Sequence, residues 1–190
     1  PTILACDVGN YDDCTRMASE IEAQVGPPDI LVNNAGITRD ASFKKITQEH
    51  WRAVITNDLD SVFNVSHQFV NGMAERGWGR VVNIASVNGQ KGCFGQTNYC
   101  AAKAGMHGFT MALAQEVARK GVTVNTVSPG YIATDMVMAV REDVREKIIA
   151  QIPVGRLGRP EEIAALVTFL ASDDAAMCTA GNFMVEAGSI

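Results

Sequence analysis

Residues 79–86, Gly79-Arg80-Val81-Val82-Asn83-Ile84-Ala85-Ser86, set a short and nearly continuous apolar run behind a glycine and close it on a hydroxyl. A run this short, carrying β-branched residues, predicts a strand buried on both faces, as parallel sheets require. Comparable runs stand at 2–6 (Thr2-Ile3-Leu4-Ala5-Cys6), 29–33 (Asp29-Ile30-Leu31-Val32-Asn33) and 122–128 (Val122-Thr123-Val124-Asn125-Thr126-Val127-Ser128), with a last short one at 182–186. Segments of helical period fill the intervals at 10–25, 47–76, 97–120, 141–150 and 160–171. Thr47 is the expected N-cap of the second, Pro160 opens the last, and Gly26, Gly77 and Gly121 fall where helices end. Strands alternating with helices imply right-handed crossovers and an open parallel sheet with helices on both faces. With no repeat, linker or low-complexity tract, the expectation is one α/β domain over residues 1–190.

The chain of 190 residues carries Lys+Arg 16 against Asp+Glu 21, a formal charge of −5, with 47% hydrophobic and 19% charged residues. That balance is globular rather than disordered. Net negative charge argues against nucleic acid or an anionic membrane surface as a partner. No apolar run approaches the roughly 18 residues of a membrane span, and no signal peptide opens the chain. A soluble, cytoplasmic protein is expected. Cys6, Cys14, Cys93, Cys100 and Cys178 are odd in number and scattered, and His50, His67 and His107 show no ligand spacing with them. Reduced thiols and no metal site follow.

In an open parallel sheet, ligands bind beyond the C-terminal ends of the strands. The turns there are Asp7-Val8, Asn33-Asn34-Ala35-Gly36, Ser86 and Ser128-Pro129-Gly130-Tyr131. Tyr99 and Lys103, four residues apart in the helix 97–120, share one face. An ammonium within about 4–6 Å of a phenol favours the phenolate, and a nearby serine hydroxyl holds a substrate oxygen beside it. The trio suits proton delivery to an oxygen that gains negative charge as a carbonyl is reduced.

Asn33-Asn34-Ala35-Gly36, Ser86 with Tyr99-x-x-x-Lys103, and Pro129-Gly130-x-x-x-Thr134-Asp135 together resemble the short-chain dehydrogenase/reductases, in order and spacing, over essentially the whole chain. The resemblance implies a Rossmann-like doubly wound sheet and a nicotinamide dinucleotide. Ser86 would polarise the carbonyl, Tyr99 would be the general acid, and Lys103 would bind the ribose and lower the Tyr99 pKa. Asp7 and Val8 would line the adenine pocket, and Asn34, Ala35 and Gly36 the middle of the cofactor site. Pro129, Gly130, Ile132 and Thr134 would meet the nicotinamide end. Within the family, Gly36-Ile37-Thr38-Arg39-Asp40, Gly77-Trp78-Gly79-Arg80 and Val87-Asn88-Gly89-Gln90-Lys91-Gly92 with Phe94-Gly95-Gln96-Thr97-Asn98-Tyr99 look like the acetoacetyl-CoA reductases of polyhydroxybutyrate synthesis. Those enzymes use NADPH and an acyl-CoA thioester, and the resemblance makes Asp40, Phe94, Gln96 and Tyr131 substrate contacts beside Ser86 and Tyr99. The 3-oxoacyl-[acyl-carrier-protein] reductases are the near alternative, and a non-catalytic remnant is the second class of reading.

Two departures from the family pattern stand out. The Thr-Gly-x-x-x-Gly-x-Gly turn that cradles a pyrophosphate is absent, so the sheet is expected to lack the family's first two strands. One edge of 29–33 would then be unpaired, residues 1–26 would re-dock or detach, and dinucleotide binding would be weak. The choice of NADPH over NADH is not legible without that segment. In Thr56-Asn57-Asp58-Leu59-Asp60-Ser61, Asp58 stands where the family usually has Asn, a position that holds a proton-relay water. Asp58 therefore joins Ser86, Tyr99 and Lys103 as a catalytic candidate. The stretch 134–156, with Met136, Met138, Ile148, Ile149 and Ile152, is expected to form a substrate lid. Apolar residues on several faces of 47–76 and 97–120 fit a homotetramer.

Overall fold

The computed structural model describes residues 1–189, and the Met136 side chain lies outside the description. In chain order the elements are α1 (Tyr11–Gln24), β1 (Ile30–Asn33), α2 (Gln48–Ile55), a π turn (Thr56–Asp60), α3 (Ser61–Arg76), β2 (Gly79–Ile84) and α4 (Asn88–Lys91). There follow α5 (Thr97–Val117), β3 (Val122–Pro129), α6 (Asp135–Met138), α7 (Glu142–Gln151), α8 (Pro160–Leu170) and β4 (Asn182–Val185). Among the described residues the four strands are parallel, in the order β1-β2-β3-β4.

Strand side chains alternate between two apolar layers, as the two-residue period demands. Val81, Val122 and Val124 face a layer built from α1, α3 and α5 through Cys14, Phe69, Met73 and Ala114. Val82 and Val127 face the other way, onto Ile163, Leu166, Val167 and Leu170 of α8. The expected sheet with helices on both faces is what the chain forms. Gly77 and Gly121 end their helical segments at φ 77° and 74°, where a side chain would be strained. Thr47 caps α2 by accepting from His50 N at 3.1 Å.

Two expectations fail. Residues 2–6 form no strand. A strand needs a ladder partner for its backbone groups, and β1 pairs only with β2 among the described residues. The run docks instead through Cys6, which packs with Val8 and α1 against the α3 layer. β1 is accordingly an edge, with Ile30 47% and Val32 41% exposed. The segment 47–76 is likewise not one helix. Asn57 donates to Ala53 O at 2.9 Å and Ser61 to Asn57 O at 2.6 Å, side-chain bonds that compete with the helical ladder at a π turn. Asp58 lies on that turn and is fully buried.

Candidate active site

The turns after β1, β2 and β3 open onto one cleft of about 590 Å³. Asn34 and Gly36, Ser86, and Pro129, Gly130, Ile132 and Thr134 line it from the strand ends. Tyr99 and Lys103 enter from α5 and Asp58 from the π turn, while Ile84, Ile163 and Val167 supply an apolar wall. A mostly apolar hollow with a few convergent polar groups is the usual form of a small-molecule site.

Lys103 is 3% exposed and donates to Ile84 O at 2.9 Å. Its ammonium lies 3.5 Å from Asp58 Oδ2 and 5.5 Å from the centre of the Tyr99 ring. Asp58 Oδ1 accepts from the Ile37 N–H at 2.8 Å, whereas Oδ2 is buried without a hydrogen-bond partner. Burial raises the Asp58 pKa against the opposing pull of Lys103, and burial lowers that of Lys103 against the pull of Asp58. The Ser86 hydroxyl lines the cleft with Tyr99 and accepts from Asn88 N at 3.2 Å.

The phenol is not acidic in this arrangement. Burial pushes the Tyr99 pKa up to about 12; the Ser86 hydroxyl lowers it, and the charges of Asp58 and Asp40 raise it. Burial outweighs the lowering expected of Lys103, whose ammonium lies 5.5 Å from the ring centre and 3.5 Å from Asp58 Oδ2.

The other candidates are dispersed. Asp7 and Val8 do not line the cleft. Asp7 Oδ1 accepts from Gly9 N at 3.0 Å, and Val8 O accepts from Asn64 at 3.0 Å. Val8 and Ala35 line a separate hollow between α1 and β1. Asp40 Oδ2 accepts from Gln96 at 2.8 Å, and Gln96 accepts in turn from Asn88 at 2.9 Å, so these two substrate candidates hold each other. Phe94 is 92% exposed. Tyr131 lines a further hollow with Ile152 and Val154, and its phenol is raised by burial and then by Cys93.

Sequence reasoning passed over Asn98. Fully buried, it accepts from Tyr99 N at 2.8 Å and donates to Arg39 O and His50 O at 3.1 and 3.3 Å, tying the first turn of α5 to the 38–40 loop and to α2. A polar residue directly before Tyr99 was the only signal.

The cleft fits a nicotinamide riboside. An ammonium has three donors; Ile84 O takes one and Asp58 faces another, which leaves one for a ribose hydroxyl. Gly36 keeps the floor clear, because a Cβ there would lie 3.0 Å from Asp58 Oδ2 and 3.3 Å from Lys103 Nζ.

A family model described as enoyl-(acyl carrier protein) reductase matches residues 1–189. An acetoacetyl-CoA reductase from Cupriavidus necator is 59% identical over 182 residues, covering 96% of this chain and 74% of that protein. One from Allochromatium vinosum is 60% identical over 186 residues, 98% of this chain and 76% of that protein. The 3-oxoacyl-[acyl-carrier-protein] reductase FabG of Pseudomonas aeruginosa is 46% identical over 185 residues, 97% and 75% of the two chains.

Proposed function

Since the chain belongs to the short-chain dehydrogenase/reductase family, we propose that it is an acetoacetyl-CoA reductase using NADPH to form (R)-3-hydroxybutyryl-CoA. The observation that carries this is the convergence of Ser86, Tyr99 and the Lys103 ammonium on one cleft at the mouth of three strand-end turns. The higher identity to the acetoacetyl-CoA reductases than to the carrier-protein enzyme favours the CoA thioester.

The reduced nicotinamide supplies the hydride. Ser86 and Tyr99 hold the ketone oxygen between their hydroxyls, which places two donors where negative charge develops. Tyr99 then gives its proton to that oxygen. A phenol held up to about 12 is fully protonated at neutral pH, the form the donor needs, and a new alkoxide is basic enough to take the proton. The Lys103 ammonium stabilises the phenolate left behind. Asn98 fixes the backbone N–H of Tyr99, and with it the start of α5. The loop pinned by Asp40, Gln96 and Asn88 forms the side from which the thioester enters. In this reading the enzyme is cytoplasmic and serves polyhydroxybutyrate synthesis. It assembles as a homotetramer through apolar surface such as Phe63 on α3 and Met111 on α5, both about half exposed.

Reduced-nicotinamide consumption with acetoacetyl-CoA and with the acyl-carrier-protein thioester, run with NADPH and with NADH, tests the assignment. NADPH with the CoA substrate is expected to be fastest. Tyr99→Phe is expected to lower kcat by about 10²–10⁴-fold. No turnover of either thioester by the wild-type chain at saturating reduced nicotinamide would overturn the reading.

A further inference from the structure

A carboxylate buried in a cleft needs a reason, because taking it out of water is costly unless its charge is met. Asp58 has one oxygen satisfied by a backbone N–H and the other aimed at Lys103 Nζ from 3.5 Å with no hydrogen bond of its own. The π turn that carries it has the register needed to face α5, and such turns are frequent at functional sites.

Charged and titratable groups around Asp58 are few among the described residues. From α5 come Lys103 and Tyr99. The turn after β1 contributes the Ile37 N–H. On its own turn, Asp60 bonds Thr56 instead, at 3.4 Å. The charge of Asp40 also raises the Tyr99 pKa.

We propose that Asp58 is a positioning residue whose negative charge keeps Lys103 an ammonium and thereby sets the upper pH limit at which Tyr99 donates a proton. The inference rests on the reductase reading of the same cleft. Its physics is that of a charge triplet in a poorly solvated space. Replacing the carboxylate by an amide leaves a buried ammonium with no counter-charge, which loses its proton more readily. The same replacement removes a negative charge that opposes formation of the phenolate. Both changes move the loss of a usable proton toward lower pH. The Ile37 contact survives, since an amide oxygen accepts as a carboxylate oxygen does.

The test is Asp58→Asn in the full chain, read in two ways. The pH profile of kcat/KM for carbonyl reduction is expected to lose its alkaline limb about one pH unit or more earlier than in the wild type. Superimposable alkaline limbs overturn the inference. The second reading needs no turnover: in protein with 13C-labelled lysine, the Lys103 Cε resonance, assigned with Lys103→Met, is followed against pH. Wild-type Lys103 is expected to be an ammonium at neutral pH and to titrate lower in Asp58→Asn. A neutral wild-type Lys103 at pH 7, or an unshifted titration in the variant, overturns it. If the variant does not fold, the wild-type resonance still decides. If the wild type reduces no thioester, the reductase reading fails while the lysine titration still judges the charge coupling.

Discussion

Lys103 is held by Ile84 O and faces both Asp58 and Tyr99, so its removal strands a carboxylate in the core. Lys103→Met is expected to destabilise the chain by about 3–5 kcal/mol, the usual cost of leaving one buried charge unpaired. The double variant with Asp58→Asn should recover much of that loss, and urea unfolding of the four chains closes the cycle. A Lys103→Met chain as stable as the wild type would mean that the pair is not ionised. At this scale the sequence is informative about identity and poor about partners. The four-residue spacing placed Tyr99 and Lys103 on one helical face before any coordinates. It could not show that Asp58 meets the ammonium, or that Gln96 is spent on Asp40 and Asn88, because those pairs join residues far apart along the chain.

Two elements, α4 and α5, meet so closely that Gly89 has no room for a side chain. A Cβ there would sit 2.8 Å from the Lys103 carbonyl carbon and 2.9 Å from Ala104 N, which are backbone atoms and cannot rotate away. Gly89→Ala is expected to cost about 1–3 kcal/mol through overpacking. It should also depress kcat more than its stability loss accounts for, since Ser86 and Lys103 flank the contact; thermal melts beside initial rates would show it. Element type was well read from periodicity: the helices at 10–25, 97–120, 141–150 and 160–171 differ from α1, α5, α7 and α8 by three residues or fewer at any end, α5 running on through a 3₁₀ turn to Lys120. The misreadings share one cause. An apolar run such as 2–6 has strand character only where another strand offers hydrogen bonds, and a helical period such as 47–76 does not reveal side chains that bond back onto their own backbone.

For the whole molecule, the exposed edge of β1 and the buried neutral acids have separate consequences. An apolar edge strand invites pairing with a second chain. Cys14 is raised from 9.0 to about 12 and Tyr99 from 10.0 to about 12, in both cases chiefly by burial. The fold therefore prefers their protonated forms, and the unfolded chain releases these protons first as pH rises. Their contribution is whole below the unfolded values and drains away as pH climbs through the folded ones. Tm is expected to fall between about pH 9 and 12, and less steeply above about pH 10 in Tyr99→Phe, which has no phenol to titrate.

From its order of residues alone, this chain specified a parallel α/β sheet, the strand-end rim as the working edge, and Ser86, Tyr99 and Lys103 as the polar groups on it. Those follow from periodicity and local spacing, which act within a few residues. Folding alone decided that Asp58 stands 3.5 Å from the Lys103 ammonium, that burial raises the Tyr99 pKa, and that Asp7 and Val8 stand outside the cleft. Burial and charge pairing are sums over neighbours brought together from across the molecule, so they exist only once the chain is packed.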